Sequence, residues 1–227
     1  MIDTLHIQLK TLFSPAHFGD IVQTGHITES GPQVTVDCVE VKTSGELFLI
    51  ENSFQQSNRG LFNYRNQGTP LACDCDGVAA VELEGENYLV FIELKSSYTD
   101  SQIIKARKQL LTGYYNIMTQ LNCTQVFHRN DFKCCCLIVS HPISDELLRR
   151  YMQWKQQDSI DGLHRLGLFF AMHKDEPALL CKTDVPEIAS LPVSHNCLCD
   201  KIPLFHCEVP EGSSCVTINL DTLLHKL

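Results

Sequence analysis

The chain has 227 residues, 44% of them hydrophobic, and a net charge of -9. That length can bury a sizeable core in one domain with room for an elaboration. The acidic balance excludes a broadly basic nucleic-acid-binding surface, so any grip on DNA or RNA must come from a local basic patch or a partner.

Residues 1–30 suggest a short helical entry. The stretch MIDTLHIQLKTLF has neither a basic start nor a continuous apolar run, so no secretory signal is expected, and no segment approaches the ~20 apolar residues of a membrane span. Residues 34–41 alternate as a strand, and Thr43-Ser44-Gly45 reads as a turn into a second strand over 46–51. Residues 52–70, rich in Gln, Asn, Ser and Gly, read as a loop, with Arg59 and Arg65 as candidate phosphate contacts or plain solvated arginines.

The most informative stretch is CDCDGVAAVELEGENYLVFIELKSS, starting at Cys73. Residues 88–94 are apolar on both faces, as expected of a central strand covered on both sides. Glu93 and Lys95 then share a face about 6.6 Å apart, at roughly 3.3 Å per residue. A strand over 74–83 precedes it, joined through Glu84-Gly85-Glu86-Asn87 as an antiparallel hairpin. An even number of loop residues pairs Asp76 with Lys95 and puts it on the face of Glu93; an odd number sends it to the other face. The even count is expected.

Two carboxylates at a strand end suit a hard cation such as magnesium. A lysine beside them can orient the attacking water or neutralise charge on a phosphate. The same three residues would also serve as a salt-bridged hairpin end. The apolar strand, the Asp-Gly hairpin upstream and the basic helix downstream favour the metal site. Glu51 is a candidate third acid or a surface residue.

The helix starts near Thr99 or Asp100, where Thr99-x-x-Gln102 resembles a capping box. Ile103, Leu110, Tyr114, Ile117, Met118 and Leu121 form its apolar stripe. Lys105, Arg107 and Lys108 are either phosphate contacts or a solvated face. Gln109 is either a contact to phosphate or water, or a polar residue at the stripe's edge.

Twelve cysteines without a signal point to reduced thiols in the cytoplasm. Cys134-Cys135-Cys136 leads into a buried strand, where free cysteine acts as a small hydrophobe. Ser144 starts a further helix carrying Leu147, Leu148, Tyr151 and Trp154, with Arg149, Arg150 and Lys155 outside. A short helix through Phe170, Pro-punctuated strands and a last strand over 215–220 follow. His195, Cys197, Cys199, His206 and Cys207 gather within thirteen residues, a candidate structural zinc set or ordinary loop residues.

Asp76 followed, after sixteen residues, by Glu93-Leu94-Lys95 resembles the PD-(D/E)xK nuclease superfamily, over about residues 73–121. Cys75 stands where that pattern usually has proline. In RecB-type members a glutamine and a tyrosine follow on the next helix, and Gln109 with Tyr114 resembles that pair. The resemblance implies a restriction-endonuclease-like α/β fold with an αβββαβ core and magnesium-dependent cleavage of nucleic acid, in a setting such as repair or defence. Asp76 and Glu93 would be the metal ligands, with Asp76, Glu93, Lys95 and Gln109 catalytic; Lys105, Lys108 and Arg59 would bind substrate. Manganese would substitute for magnesium. An iron-sulfur cluster of the kind some RecB-type nucleases carry would need a tight carboxyl-terminal cysteine set that is not evident.

One domain over 1–227 is expected, with a core of about 30–142 and an elaboration over 143–227. The expected activity is cleavage of DNA, RNA being a second possible substrate, with a protein partner or a homodimer as further possibilities and no membrane. Two other classes stand beside it. One is an inactive nuclease-like binding or assembly subunit, which the acidic charge suits. The other is a cysteine hydrolase using His128, His141, His164 or His173 as base, for which no glycine-framed elbow is present.

Overall fold

The computed structural model describes residues 1–57, 73–174, 176–189 and 201–227. Arg59, Arg65, His195, Cys197 and Cys199 lie outside the described residues.

The fold is α/β, an open mixed sheet of eight strands flanked by helices. In chain order the elements are α1 (Ile2–Leu12), β1 (Val22–Thr28), β2 (Cys38–Glu51), α2 (Asn52–Ser57), β3 (Gly77–Leu83), β4 (Glu86–Lys95) and α3 (Asp100–Leu121). Then come β5 (Phe132–Ser140), α4 (Asp145–Gln156), α5 (Gly162–Met172), β6 (Ala178–Cys181), α6 (Pro186–Ala189), β7 (Lys201–Glu208), β8 (Cys215–Asn219) and α7 (Leu220–Leu224). The sheet order is β1-β2-β3-β4-β5-β7-β6, with β8 alongside β2. Strands β1 to β4 are antiparallel neighbours, while β4, β5 and β7 run parallel, as helical crossovers dictate. The segment after Ser140 thus adds three strands to the one sheet.

Strand β4 is buried along all but its first residue. Leu89 and Phe91 face a large apolar cluster made with α1, α3, α4 and α5; Tyr88, Val90, Ile92 and Leu94 face a second one closed by α7. This is why the sequence shows no alternation there: both faces are covered. Among the described residues, no helix is long and apolar enough to cross a membrane. The three consecutive cysteines of β5 are all buried.

The expected turn at Thr43-Ser44-Gly45 is instead an irregularity inside the continuous 14-residue strand β2, where the pairing with β1 shifts. Asp221 of α7 holds it, accepting from Thr43 Oγ1 at 2.7 Å and from the Ser44 amide at 3.0 and 3.1 Å. Gly45 fits because a Cβ there would run into the Glu82 carbonyl oxygen of β3. Turn-forming residues here make a bulge, with the hydrogen bonds supplied from far along the chain.

The hairpin between β3 and β4 turns on two residues, Glu84 and Gly85, both with positive φ (52° and 82°), as a type I′ turn requires. Glu86 and Asn87, expected in the loop, are already paired with Leu83 and Glu82. The count is even, as expected, but smaller by two. The register Gly77↔Ile92 therefore continues to set Asp76 opposite Glu93 rather than Lys95, on the same face of the sheet.

Candidate functional site

Asp76 stands just before β3, and Glu93 and Lys95 end β4. All three belong to the face that carries α3. The Lys95 ammonium donates to Glu93 Oε1 and, at 3.1 Å, to the Leu94 carbonyl. Glu93 is 0% exposed and Lys95 4%, and Glu93 Oε2 is buried with no hydrogen-bond partner among the described residues. Asp76 is half-buried, and its Oδ2 accepts from the Leu94 amide at 2.7 Å.

The electrostatics are those of two acids in a dry place. Burial pushes the Asp76 carboxyl up to about 6 against the opposing Leu94 amide, with Glu29 adding to the rise and Lys95 and Lys105 countering it. Burial, and then the charge of Asp76, push Glu93 well above the carboxylate range, against the pull of Lys95.

The segment carrying Asp76 is held by side-chain amides. Gln55 of α2 mimics a strand edge on Cys75, donating to its carbonyl at 3.0 Å and accepting from its amide at 3.2 Å. Gln109 of α3 donates to the Asp74 carbonyl at 3.0 Å, and Asn116 donates to Asp74 Oδ1 at 3.4 Å. Gln109 therefore acts on the backbone that aims Asp76, and its Oε1 is buried without a partner among the described residues. Gly113 permits the close approach of α3, since a Cβ there would lie 2.7 Å from Cys75 Sγ. Tyr114 is fully buried, edge-on to Phe91 and bonded to Arg129 at 3.1 Å, a core residue of α3.

Lys105 is exposed on α3 within charge range of Asp76; Lys108 is half-buried there. Arg107 pairs with Asp184 at 2.9 Å. Glu51 lies opposite Gly77, which puts it on the other sheet face from Asp76. The acid whose charge acts on the pair is Glu29, just past β1, which raises both Asp76 and Glu93. Its loop, residues 29–37, is tied to Ser96: Thr35 bonds Ser96 twice at 3.0 Å, and Ser96 Oγ donates to the Gln33 carbonyl at 3.1 Å. Nothing in the local sequence marks Glu29; its influence on the pair is set by folding.

The polar row extends sideways. Ser140 lies beside Lys95 on β5, and Glu208 beside Ser140 on β7, at about 4.8 Å per strand. Ser140 Oγ donates to the His141 carbonyl at 2.8 Å and lies 2.9 Å from His206 Nε2. A carbonyl only accepts, so His206 Nε2 carries the proton toward Ser140. A cavity of about 660 Å³ past these strand ends is lined by His141, Asp145, Lys174 and Glu208, and not by Asp76, Glu93 or Lys95.

Among the described residues no three carboxylate, imidazole or thiol side chains are gathered closely enough to enclose an ion. His206 and Cys207, neighbours on β7, point to opposite faces: His206 packs against Tyr98 and Phe170, Cys207 against the other apolar cluster. Burial raises the thiols of Cys38, Cys75 and Cys135 away from thiolate, the opposite of what a nucleophile needs.

No family model matches the chain, and no curated protein or solved structure matches it either.

Proposed function

We propose that the chain is a divalent-metal-dependent nuclease with a restriction-endonuclease-like core, cleaving phosphodiester bonds in DNA. The observation that carries this reading is the convergence of Asp76, Glu93 and Lys95 on one sheet face, with Glu93 Oε2 buried and unpartnered. The succession of α1, the antiparallel β2, β3 and β4, then α3 and the parallel β5 supports it, with β1 as an addition.

The residues fit a hard cation. Two acids that burial holds back from ionising, one with a bare oxygen, would regain their charges on binding a divalent ion. Asp76 and Glu93 would hold magnesium, or manganese in its place, with Glu29 near enough to share the charge. Bound there, the ion would acidify water and polarise the phosphorus centre. Lys95, fixed by Glu93 and the Leu94 carbonyl, presents its remaining proton to water or to a phosphate oxygen. Gln55, Gln109 and Asn116 keep Asp76 aimed. Lys105, exposed beside Asp76, and Lys108 supply local positive charge on an acidic molecule.

The near-complete burial of Glu93 and Lys95 favours a second reading, a binding or assembly subunit without activity. The test is cleavage of single- and double-stranded DNA and RNA with magnesium or manganese, comparing the natural chain with Lys95→Ala. The nuclease reading expects metal-dependent cleavage that falls by about 100-fold or more in the variant, with unchanged circular dichroism. Equal silence of both proteins across metals and substrates would transfer the conclusion to the second reading.

A further inference from the structure

Cys38 opens β2 and Cys215 opens β8, and the parallel register of these strands sets them side by side. Two residues on, the next pair on the same face, Glu40 and Thr217, is joined by a 3.0 Å hydrogen bond between its side chains. Side chains on this face of the two strands thus meet. The Cys215 thiol lies against that of Cys38, and both residues are half-buried, within reach of a small reagent. Adjacent strands run about 4.8 Å apart, inside the ~4.4–6.8 Å window of Cα separations that a disulfide spans. No other described cysteine has a cysteine as its register partner.

We propose that Cys38 and Cys215 are a redox modification site, forming a reversible intramolecular disulfide that fastens β8 to β2. The oxidant class is a low-molecular-weight disulfide such as oxidised glutathione. One cysteine thiolate attacks a glutathione sulfur, and one glutathione leaves as its thiol. The second cysteine thiolate then attacks the mixed disulfide and releases the other glutathione. Two electrons pass from the cysteines to the glutathione disulfide, and the two protons lost from the cysteines end on the two glutathione thiols. Burial, with Cys215 beside it, pushes the Cys38 thiol up to about 12, so the exchange runs through a minor thiolate fraction and is slow.

The position gives the bond something to act on. Asp37, next to Cys38, donates its amide to Ser214 at 3.0 Å and accepts the Glu29 amide at 2.9 Å. The bond would therefore clamp the foot of the loop that carries Glu29, whose charge acts on Asp76, whatever reaction that site performs.

The experiment is incubation of the full chain, folded, with oxidised glutathione, followed by intact mass and a non-reducing peptide map. The expected result is a mass lower by two hydrogens, a linked peptide pair containing Cys38 and Cys215, and reversal by dithiothreitol. Cys38→Ser and Cys215→Ser should each abolish the link. The oxidised protein should melt roughly 5–15 °C higher, from the typical effect of closing a long loop in a chain of this size. Glutathione adducts alone, a link between other cysteines, or a link that forms only in urea would overturn the site. An unchanged melting point despite the bond would overturn the fastening.

Discussion

Glu93 and Lys95 meet on one face of β4, the lysine donating to one carboxylate oxygen while the other oxygen is buried and bare. A buried acid and lysine with an unsatisfied oxygen are held at a cost in folding energy, because burial opposes charge on either group more than their attraction repays. Glu93→Leu alone should destabilise by about 3–5 kcal/mol, whereas Glu93→Leu with Lys95→Met should be neutral or stabilising by about 1–4 kcal/mol. Urea unfolding of the metal-free proteins measures both. Millimolar manganese should raise the melting point of the natural chain and leave the double variant unmoved.

Asp76 reaches the site through a turn of two residues. A glycine inserted between Asp76 and Gly77 keeps the register from Leu83↔Glu86 to Gly77↔Ile92 but sets Asp76 one position further along, which would turn it to the opposite face. Metal-induced stabilisation should vanish while far-ultraviolet circular dichroism keeps its shape. A variant that still responds to manganese would remove Asp76 from the site.

Gly113→Ala sets a helix gain against a collision. Alanine is favoured over glycine in a helix by about 1 kcal/mol, but the new methyl would meet Cys75 Sγ at 2.7 Å and Gln55 Oε1 at 2.8 Å. Overpacking of this kind costs about 1–3 kcal/mol, so a net loss is expected in urea unfolding. Any metal response should weaken with it, since Cys75 adjoins Asp76.

His206 gives a pH dependence with a definite sign. Burial first, with Lys174 adding and Glu208 opposing, depresses its pKa from 6.5 to about 4. The unfolded chain therefore takes up the proton before the folded one does. This contribution to stability is fully present above pH 6.5 and is lost as pH falls toward 4, amounting to at most about 3 kcal/mol. His206→Gln retains a donor for Ser140 and does not titrate, so its stability should fall less steeply across that window.

The sequence makes the alternating geometry plain and leaves the long-range contacts hidden. Period-two alternation is enough to put Glu93 and Lys95 together, and the apolar run marks β4 as central. Glu84 in a left-handed conformation has no sequence signal, so a two-residue turn reads as four and the partner of Asp76 shifts by two. Thr43-Ser44-Gly45 has turn chemistry, yet Asp221, 178 residues from Thr43, makes it a bulge. Glu51 looks like the third acid by its place in the chain but faces the other side of the sheet, whereas the acid whose charge is felt by the pair is Glu29, in a loop anchored on Ser96. Gln109 reads as a contact to phosphate or water, or as a polar residue at the stripe's edge, and in the fold its amide donates to the Asp74 carbonyl. Each of these depends on partners that only folding supplies.

The first half of β2 lies between β1 and β8, and its bond from Glu40 to Thr217 crosses 177 residues of chain. On a ribosome adding roughly 5–20 residues per second, that side of β2 waits about 10–35 seconds for its neighbour. For that interval the nascent protein displays an open strand edge, the kind of surface that recruits chaperones or other unfinished chains. The yield of this protein in cells should therefore respond to the speed of translation downstream of β2 as well as to the stability of the finished fold.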